Sequence, residues 1–195
     1  MKQIAVYCGS NLGEDPNYLA GAKALGKAMA EKEITLVYGG GAIGLMGAVA
    51  DAVLEHGGKV IGVIPTFLKE MEVAHKGVTE LIVTPDMVTR KAKMMELSDG
   101  FIAMPGGIGT LEELFEVLSA SQLKLHHKPT GLLNISGFYD PLVTCIESII
   151  AQKFMPESNL SLFDSDADPE ILLTKMANYA PHFTSKWQDP SYLKK

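Results

Sequence analysis

The sequence predicts an α/β fold in which helices cover both faces of a mostly parallel central sheet. Short apolar runs alternate with longer segments whose apolar residues recur at helical spacing, the pattern of strands joined by helices. Glycine-rich turns directly follow three of those runs, and 47% of the 195 residues are apolar, enough for one full core. We therefore expect a Rossmann-like, doubly wound three-layer sandwich that forms a single domain over residues 1–180, followed by a C-terminal tail over residues 181–195.

Three strands and two helices are predicted in the first third of the chain. The strands are expected at residues 4–8, 34–38 and 60–64, which are short, apolar runs. Asp15 supplies an N-cap and Pro16 a favourable first position for a helix that runs to about residue 32. A second helix follows the glycines at 39–47 and stops at 56–58. Residues 65–77 have no periodicity and are predicted to form a lid or loop.

The alternation continues through the rest of the chain. Further strands are predicted at residues 81–83, 101–104 and 130–133, with an edge strand at 159–163. Helices are predicted at about residues 87–98, 110–122, 141–154 and 169–176. His126 and His127 are adjacent in the turn at 124–129, so they point different ways, and they are predicted to be exposed histidines and not metal ligands.

Composition narrows the class of protein. The formal net charge of −6 disfavours a nucleic-acid binder with a broad basic surface, although a local cationic pocket for an anion stays open. Cys8 and Cys145 are expected to be buried, reduced thiols and not a disulfide scaffold. The first residues lack the apolar region of a signal peptide, and no run is long enough to span a membrane, so we expect a soluble, cytoplasmic protein.

The turn at residues 105–109 has the composition of an anion site. Gly106, Gly107 and Gly109 lie between a buried apolar strand and a helix, and they carry no Cβ atoms that would keep backbone N–H groups away from a ligand. The helix start adds unpaired N–H donors and a partial positive charge, which suits a phosphate. Thr110 and Glu113 are also spaced as a capping box, which would explain those two residues by helix-end chemistry alone.

A second glycine-rich turn lies at residues 39–44. It has the spacing of a dinucleotide fingerprint in a strand-to-helix context, but no Asp or Glu follows at the tip of the next strand to bind the ribose of NAD. An NAD-dependent dehydrogenase is therefore disfavoured. Because parallel strands end at one edge of the sheet, this turn, the turn at Gly9 and Ser10 and the turn at 106–109 should gather along one rim.

The helix at 87–98 carries Arg90, Lys91 and Lys93 near its first turns, where positive side chains oppose the helix dipole. Two explanations stay open from the residues alone. Either an anionic ligand lies close by, or these side chains lie at a solvated surface where the cost is small.

These motifs resemble those of a known family. Residues 105–113 read PGGIGTLEE and match the pattern PGGxGTxxE in full, and the likeness extends to residues 37–47, VYGGGAIGLMG, and to Arg90 with Lys91. Over about residues 2–155 the chain resembles the Lonely Guy (LOG) family of cytokinin riboside 5′-monophosphate phosphoribohydrolases, called possible lysine decarboxylases in older usage. The resemblance implies hydrolysis of the N-glycosidic bond of a purine nucleoside 5′-monophosphate, such as AMP, to the free base and ribose 5-phosphate. It also implies a homodimer that needs no metal or cofactor.

The resemblance assigns roles to individual positions. Arg90 and Glu113 are implied to be the catalytic pair, and the ligand site is implied to include Glu72, Lys91, Gly107, Ile108, Gly109, Thr110 and Ser119. The predicted rim adds Ser10, Gly40, Gly41 and Gly106 to the substrate-binding set. Thr89 stands where plant members often have Gln, which bears on base preference.

The residue types fit this chemistry. Cleavage of a ribosyl C–N bond passes through an oxocarbenium-like state, so a carboxylate such as that of Glu113 can stabilise positive charge or activate water. Arg90 is always charged, so we assign it to charge clamping and substrate orientation and not to proton donation.

Two other functions compete with hydrolysis. A non-catalytic nucleotide or cofactor carrier is the main alternative, because molybdenum-cofactor carriers resemble this chain in fold. Lysine decarboxylation is disfavoured, because it would be expected to need PLP and no lysine here lies in a context that indicates a Schiff base.

Overall fold

A computed structural model of the chain describes residues 1–71 and 74–180. The strands found there are β1 Gln3–Tyr7, β2 Thr35–Tyr38, β3 Val60–Pro65, β4 Glu80–Thr84, β5 Gly100–Ala103, β6 Thr130–Leu133 and β7 Asp164–Asp166. They form one sheet in the order β4-β3-β2-β1-β5-β6-β7, and every neighbouring pair is parallel. The predicted α/β architecture is therefore confirmed.

Helices cover both faces of this sheet. They are α1 Pro16–Glu31, α2 Gly44–Glu55, α3 Thr66–Met71, α4 Met87–Leu97, α5 Ile108–Gln122, α6 Asp140–Ala151 and α7 Pro169–Ala177. Leu25 of α1, Val49 of α2 and Leu172 of α7 belong to the larger apolar core. On the other face, Met94 of α4 and Val117 of α5 are buried in a second cluster. The three-layer arrangement follows from burying both faces of a parallel sheet.

Aspartate side chains cap the starts of α1, α4 and α7, and the cap at Asp15 on α1 is the one that the sequence predicts. The Asp15 carboxylate accepts a hydrogen bond from the Asn17 N–H at 2.9 Å, with Pro16 at the first helical position. The Asp86 carboxylate accepts from the Thr89 N–H at 2.7 Å and starts α4. These local caps satisfy N–H groups that have no partner inside the helix and fix where each helix leaves the sheet.

The strand order places a crevice beside β1 and β5. The chain moves from β1 towards one edge of the sheet and from β5 towards the other, so these hydrogen-bonded neighbours mark a topological switch point. The Gly9 N–H donates to the Pro105 carbonyl at 3.1 Å, and the Gly9 carbonyl accepts from the Leu45 N–H at 3.1 Å. The loops after β1, β2 and β5 are thus joined into one rim, as the three glycine-rich turns predict.

Several local predictions are wrong. Residues 66–71, predicted as loop, form the short helix α3, which is too short to show a periodic pattern. The edge strand predicted at 159–163 is wrong: residues 159–162 belong to the 3₁₀ segment Glu157–Leu162, in which Leu162 is buried, and the edge strand is the acidic β7 that follows. The predicted tail, residues 181–195, lies outside the described residues.

Three predictions about side-chain exposure have mixed outcomes. Cys8 is buried as predicted, but Cys145 is exposed, because α6 buries its neighbour Ile146. His126 is half-buried, with Nε2 2.9 Å from the Val117 carbonyl, and it packs on Phe101, so the prediction of full exposure is wrong for this residue.

None of the helices in residues 1–71 and 74–180 has the length and apolar character that a membrane span requires.

Candidate functional site

The glycine-rich rim encloses a cavity of about 280 Å³ at the carboxyl ends of β1, β2 and β5. It is bounded by the start of α4 on one side and by the start of α5 on the other. Its wall consists of Val6, Tyr7, Cys8, Gly9, Ser10, Gly39, Met46, Met87, Arg90, Gly107, Ile108, Gly109, Thr110, Glu112 and Glu113. Glycine backbone and charged side chains therefore meet in one place, as expected at this edge of a doubly wound sheet.

The start of α5 presents backbone donors to this cavity. The helix is capped by the backbone of Gly107, with no side-chain hydrogen bond, so the N–H groups of its first turn have no partner within the helix. A Cβ atom added at Gly107 or Gly109 would meet nothing within 4 Å, whereas one at Gly106 would lie 2.2 Å from the Thr110 hydroxyl oxygen. Gly107 and Gly109 thus leave the turn open to a ligand, and Gly106 allows the Thr110 side chain to pack closely against the turn. The predicted capping box of Thr110 and Glu113 is wrong, because the helix begins before Thr110.

Arg90 reaches the cavity from α4. Its side chain is buried, Nε donates to the Val63 carbonyl at 3.1 Å, and Nη2 lies 3.9 Å from the Glu113 Oε1. Nη1 lies 3.6 Å from the Met87 sulfur. The explanation that Arg90 is a solvated surface residue is therefore excluded. A buried, always-charged guanidinium beside an open helix start is an arrangement that favours an anion at this end of the cavity.

Glu113 is the buried carboxylate of the site. Its Oε1 has no hydrogen-bond partner among residues 1–71 and 74–180, and burial raises the pKa of Glu113 from 4.5 to about 7. The positive charge of Arg90 opposes this rise, and the negative charge of Glu112 adds to it. The loss of hydration therefore affects the pKa of Glu113 more than the charge of Arg90 does. No hydrogen bond reinforces the attraction between the two groups, because the 3.9 Å between Nη2 and Oε1 is too long for a direct one. At neutral pH both protonation states of Glu113 are populated.

Lys91 lies beside the cavity and not in its wall. Its ammonium group forms an ion pair with Glu112 and lies 3.3 Å from Glu116, so it links α4 to α5. The hydrogen bond to Glu112 is the main cause that raises the pKa of Lys91. Its contact with substrate stays a prediction.

The structure brings together only part of the predicted binding set. Ser10, Gly107, Ile108, Gly109 and Thr110 line the cavity. Gly106 lines a neighbouring cavity of about 240 Å³ together with Tyr18 and Phe138.

The other predicted positions lie elsewhere. The Gly40 carbonyl accepts from the His75 N–H at 2.9 Å, and Gly41 pairs with Ala74, so both contact residues 74–75. Ser119 is exposed further along α5, in a groove with Phe115 and Ile149. Glu72 lies outside the described residues.

Sequence reasoning missed six residues of the wall: Val6, Tyr7, Cys8, Met46, Met87 and Glu112. The position of Tyr7 and Cys8 at the end of a strand beside the predicted rim was the available signal. Burial raises the pKa of both groups above their ordinary values. Nothing in the local sequence distinguishes the two methionines from core residues.

Comparison with known proteins adds independent information. A family model described as "Possible lysine decarboxylase" matches residues 46–176, more than half of the chain. A probable cytokinin riboside 5′-monophosphate phosphoribohydrolase of Oryza sativa subsp. japonica is 46% identical over 180 residues, covering 92% of this chain and 79% of the relative. A cytokinin riboside 5′-monophosphate phosphoribohydrolase of Arabidopsis thaliana is 43% identical over 183 residues, covering 93% of this chain and 84% of the relative.

Solved structures share the fold. The molybdenum cofactor binding protein of Rippkaea orientalis superposes with a TM-score of 0.69 at 23% identity, over 91% of this chain and 97% of that chain. A molybdenum cofactor carrier protein of Chlamydomonas reinhardtii gives 0.68 at 24% identity, over 91% and 96%. At such low identity the likeness shows the fold alone.

Proposed function

The chain belongs to the family of cytokinin riboside 5′-monophosphate phosphoribohydrolases and is a hydrolase of that class, and we propose that Arg90 and Glu113 perform its chemistry. The substrate is a purine nucleoside 5′-monophosphate, AMP or an N6-modified form of it, and the products are the free base and ribose 5-phosphate. The observation that carries the proposal is a buried Arg90–Glu113 pair, 3.9 Å apart, in the same cavity as an open helix start.

The helix start is the proposed phosphate site. Three consecutive first-turn N–H groups, those of Ile108, Gly109 and Thr110, lack helical acceptors, and the Thr110 side chain borders the same cavity. The partial positive charge at the N-terminus of a 15-residue helix adds to the attraction for an anion. Binding of the 5′-phosphate here would hold the ribose over the Arg90–Glu113 pair.

Glu113 then acts on the reacting sugar. As the C–N bond breaks, positive charge develops on the ribose ring, and an adjacent carboxylate stabilises it or removes a proton from the attacking water. The effect is strong because Glu113 is buried and, within the part of the chain that the structure describes, no donor forms a hydrogen bond with Oε1. The carboxylate form is required for either role, so activity should increase as Glu113 ionises.

Arg90 orients the substrate and balances charge. Its guanidinium is held by the Val63 carbonyl, which leaves Nη2 directed towards Glu113 and the cavity. A fixed cation here favours the ionised form of Glu113 and offsets repulsion between that carboxylate and the substrate phosphate. The proposed reaction consumes water and the nucleotide only.

The assembly and location of the protein are also proposals. We propose a homodimer, supported by exposed apolar side chains at the mouth of the cavity and beside it, those of Val88, Ile108 and Phe115. Light scattering coupled to size exclusion would test this, and a monomer at micromolar concentration would contradict it. The cytoplasmic location predicted from the sequence belongs to the same set of proposals.

A substrate panel tests the proposed function. Purified protein is incubated with AMP, an N6-prenylated AMP, GMP and adenosine, and free base and ribose 5-phosphate are separated by chromatography. We expect equal amounts of both products from at least one adenine nucleotide and none from adenosine, which lacks the phosphate. No base release from any nucleotide would contradict the proposal, and tight AMP binding without turnover would favour a carrier.

A further inference from the structure

We propose that Gly39 is a positioning residue for the reaction, because the absence of a side chain at Gly39 creates the space that the Arg90 guanidinium occupies in the cavity. The inference rests on the proposed role of Arg90. Gly39 follows β2 directly and lines the cavity wall, but it offers no chemical group of its own to a substrate. Its contribution is therefore steric and acts through Arg90.

The distances identify the atom concerned. A Cβ atom added at Gly39 would lie 2.1 Å from the Arg90 Nη2 and 3.3 Å from its Cζ. Ordinary van der Waals contact needs 3.4–4 Å, so the guanidinium nitrogen would have to move by more than 1 Å. The same Cβ would lie 3.1 Å from the Met46 sulfur, a tight contact that a flexible methionine relieves by a small shift.

Position 39 requires glycine because a side chain would collide with Arg90, and not because of its backbone conformation. Gly40 and Gly44 have φ values of +79° and +63°, which side chains rarely adopt, whereas the φ of Gly39 lies outside that region. An alanine at position 39 would therefore fit the backbone, and the atoms nearest to its Cβ would be those of the guanidinium and the Met46 sulfur. The shortest contact that the substitution creates is the one with the Arg90 guanidinium.

Arg90 has little freedom to move away. It is buried, its Nε is held by the Val63 carbonyl at 3.1 Å, and Glu113 lies 3.9 Å beyond Nη2. A shift of the guanidinium by more than 1 Å must change at least one of these two distances. A displacement of about 1 Å in a group that orients substrate can reduce activity about a hundredfold.

Glu113 provides a readout that does not depend on turnover. The charged and titratable groups that interact with it come from the end of β1 and the residue after it, from α4 and from its own helix, and they are Tyr7, Cys8, Arg90, Lys91, Glu112 and Glu116. Among these, Arg90 is the strongest influence that lowers the pKa of Glu113. If Arg90 moves away from the cavity, the pKa of Glu113 should rise further above about 7.

The experiment compares Gly39→Ala with a matched control, Gly131→Ala. Gly131 is also a buried glycine, in β6, and a Cβ there would lie 2.7 Å from the Met176 sulfur, so it measures the general cost of an added methyl group. We expect Gly39→Ala to lower kcat/KM for AMP by about 10- to 100-fold and Gly131→Ala to leave it within about twofold. Unchanged kcat/KM in folded Gly39→Ala would overturn the proposal.

A double-variant cycle with Arg90→Lys tests whether Gly39 acts through Arg90. Lysine lacks the guanidinium nitrogens, so the clash of 2.1 Å disappears. Adding Gly39→Ala to Arg90→Lys should therefore change kcat/KM by less than about threefold, and equal losses in both backgrounds would overturn the proposal. If Gly39→Ala alone does not fold, the double variant should fold, and failure of both would also count against the idea.

Carbon-13 NMR of the glutamate carboxyl groups separates this inference from the proposed function. Gly39→Ala should raise the pKa of Glu113 above that of the wild type, while Gly131→Ala should not. The measurement needs no substrate, so an upward shift would support the positioning role even if the protein hydrolysed none of the nucleotides. An unchanged Glu113 titration in folded Gly39→Ala would overturn it.

Discussion

Replacing Glu113 with glutamine is expected to change how the stability of the protein depends on pH. Burial raises the pKa of Glu113 from 4.5 to about 7 in the folded protein, and the opposing charge of Arg90 is not enough to cancel this rise. In the unfolded chain the carboxyl group is in water and keeps its ordinary pKa. Folding therefore favours the protonated form, and ionisation of Glu113 makes folding less favourable.

The sign and size follow from these two pKa values. Well below pH 4.5, Glu113 is protonated in both the folded and the unfolded chain, and its protonated form makes its full contribution to the free energy of unfolding. As pH rises towards 7 it ionises first in the unfolded chain, so the free energy of unfolding falls, and the loss is complete above about pH 7. A difference of about 2.5 pKa units corresponds to about 3 kcal/mol. The side chain is only 11% exposed, so solvent screening removes little of this.

Urea unfolding at pH 5 and pH 8 measures the effect. The free energy of unfolding of Glu113→Gln minus that of the wild type should increase by about 2–3 kcal/mol between the two pH values, because glutamine does not ionise. Glu147→Gln, at an exposed position on α6, is the control and should give a difference that stays within about 0.5 kcal/mol. Parallel curves for Glu113→Gln and the wild type would refute the reasoning, since they would mean that Glu113 ionises as easily in the fold as in water.

Other substitutions test separate parts of the account. Arg90→Ala should lower kcat/KM for AMP by at least about a hundredfold in steady-state assays, and a loss below threefold would contradict its role as a fixed cation. Thr110→Val should raise KM about tenfold with little change in kcat if the hydroxyl group binds phosphate, whereas a pure kcat effect would place it elsewhere. Tyr139→Phe removes the buried hydroxyl that donates to the Met104 carbonyl at 2.6 Å, so urea unfolding should show a loss of about 1–2 kcal/mol, and an unchanged midpoint would show that water replaces the bond.

The sequence predicts most of the fold because fully buried strands produce a clear pattern of apolar residues. The central strands are buried on both faces and read as continuous apolar runs, so β2 and β6 were located to within one residue. The prediction of strands failed where a strand consists of polar residues. β7 consists of Asp164, Ser165 and Asp166, and it is a strand only because its backbone pairs with β6 at the edge of the sheet.

The sequence predicts the loops that surround the candidate site, but not the buried contacts inside it. Glycines after three strands indicated the rim, and the motif at residues 105–113 indicated Glu113 and the turn that we propose binds phosphate. The depth of Arg90 was not predictable, because it depends on a carbonyl in β3, at Val63, and on the empty space beside Gly39, both distant in sequence. The cap on α5 was also mispredicted, because Thr110 and Glu113 have the spacing of a capping box but both lie inside the helix, whose N-cap is Gly107.

Single-turnover hydrolysis of AMP by wild-type protein and by Glu113→Gln tests the central claim most directly. With enzyme in excess, free adenine and ribose 5-phosphate are quantified over time, and AMP binding is measured separately by calorimetry. We predict that the wild type forms both products in equal amounts and that Glu113→Gln binds AMP within about threefold as tightly but releases adenine at least about a thousandfold more slowly. Adenine release by Glu113→Gln at the wild-type rate, or formation of adenosine and phosphate in place of adenine, would contradict the account.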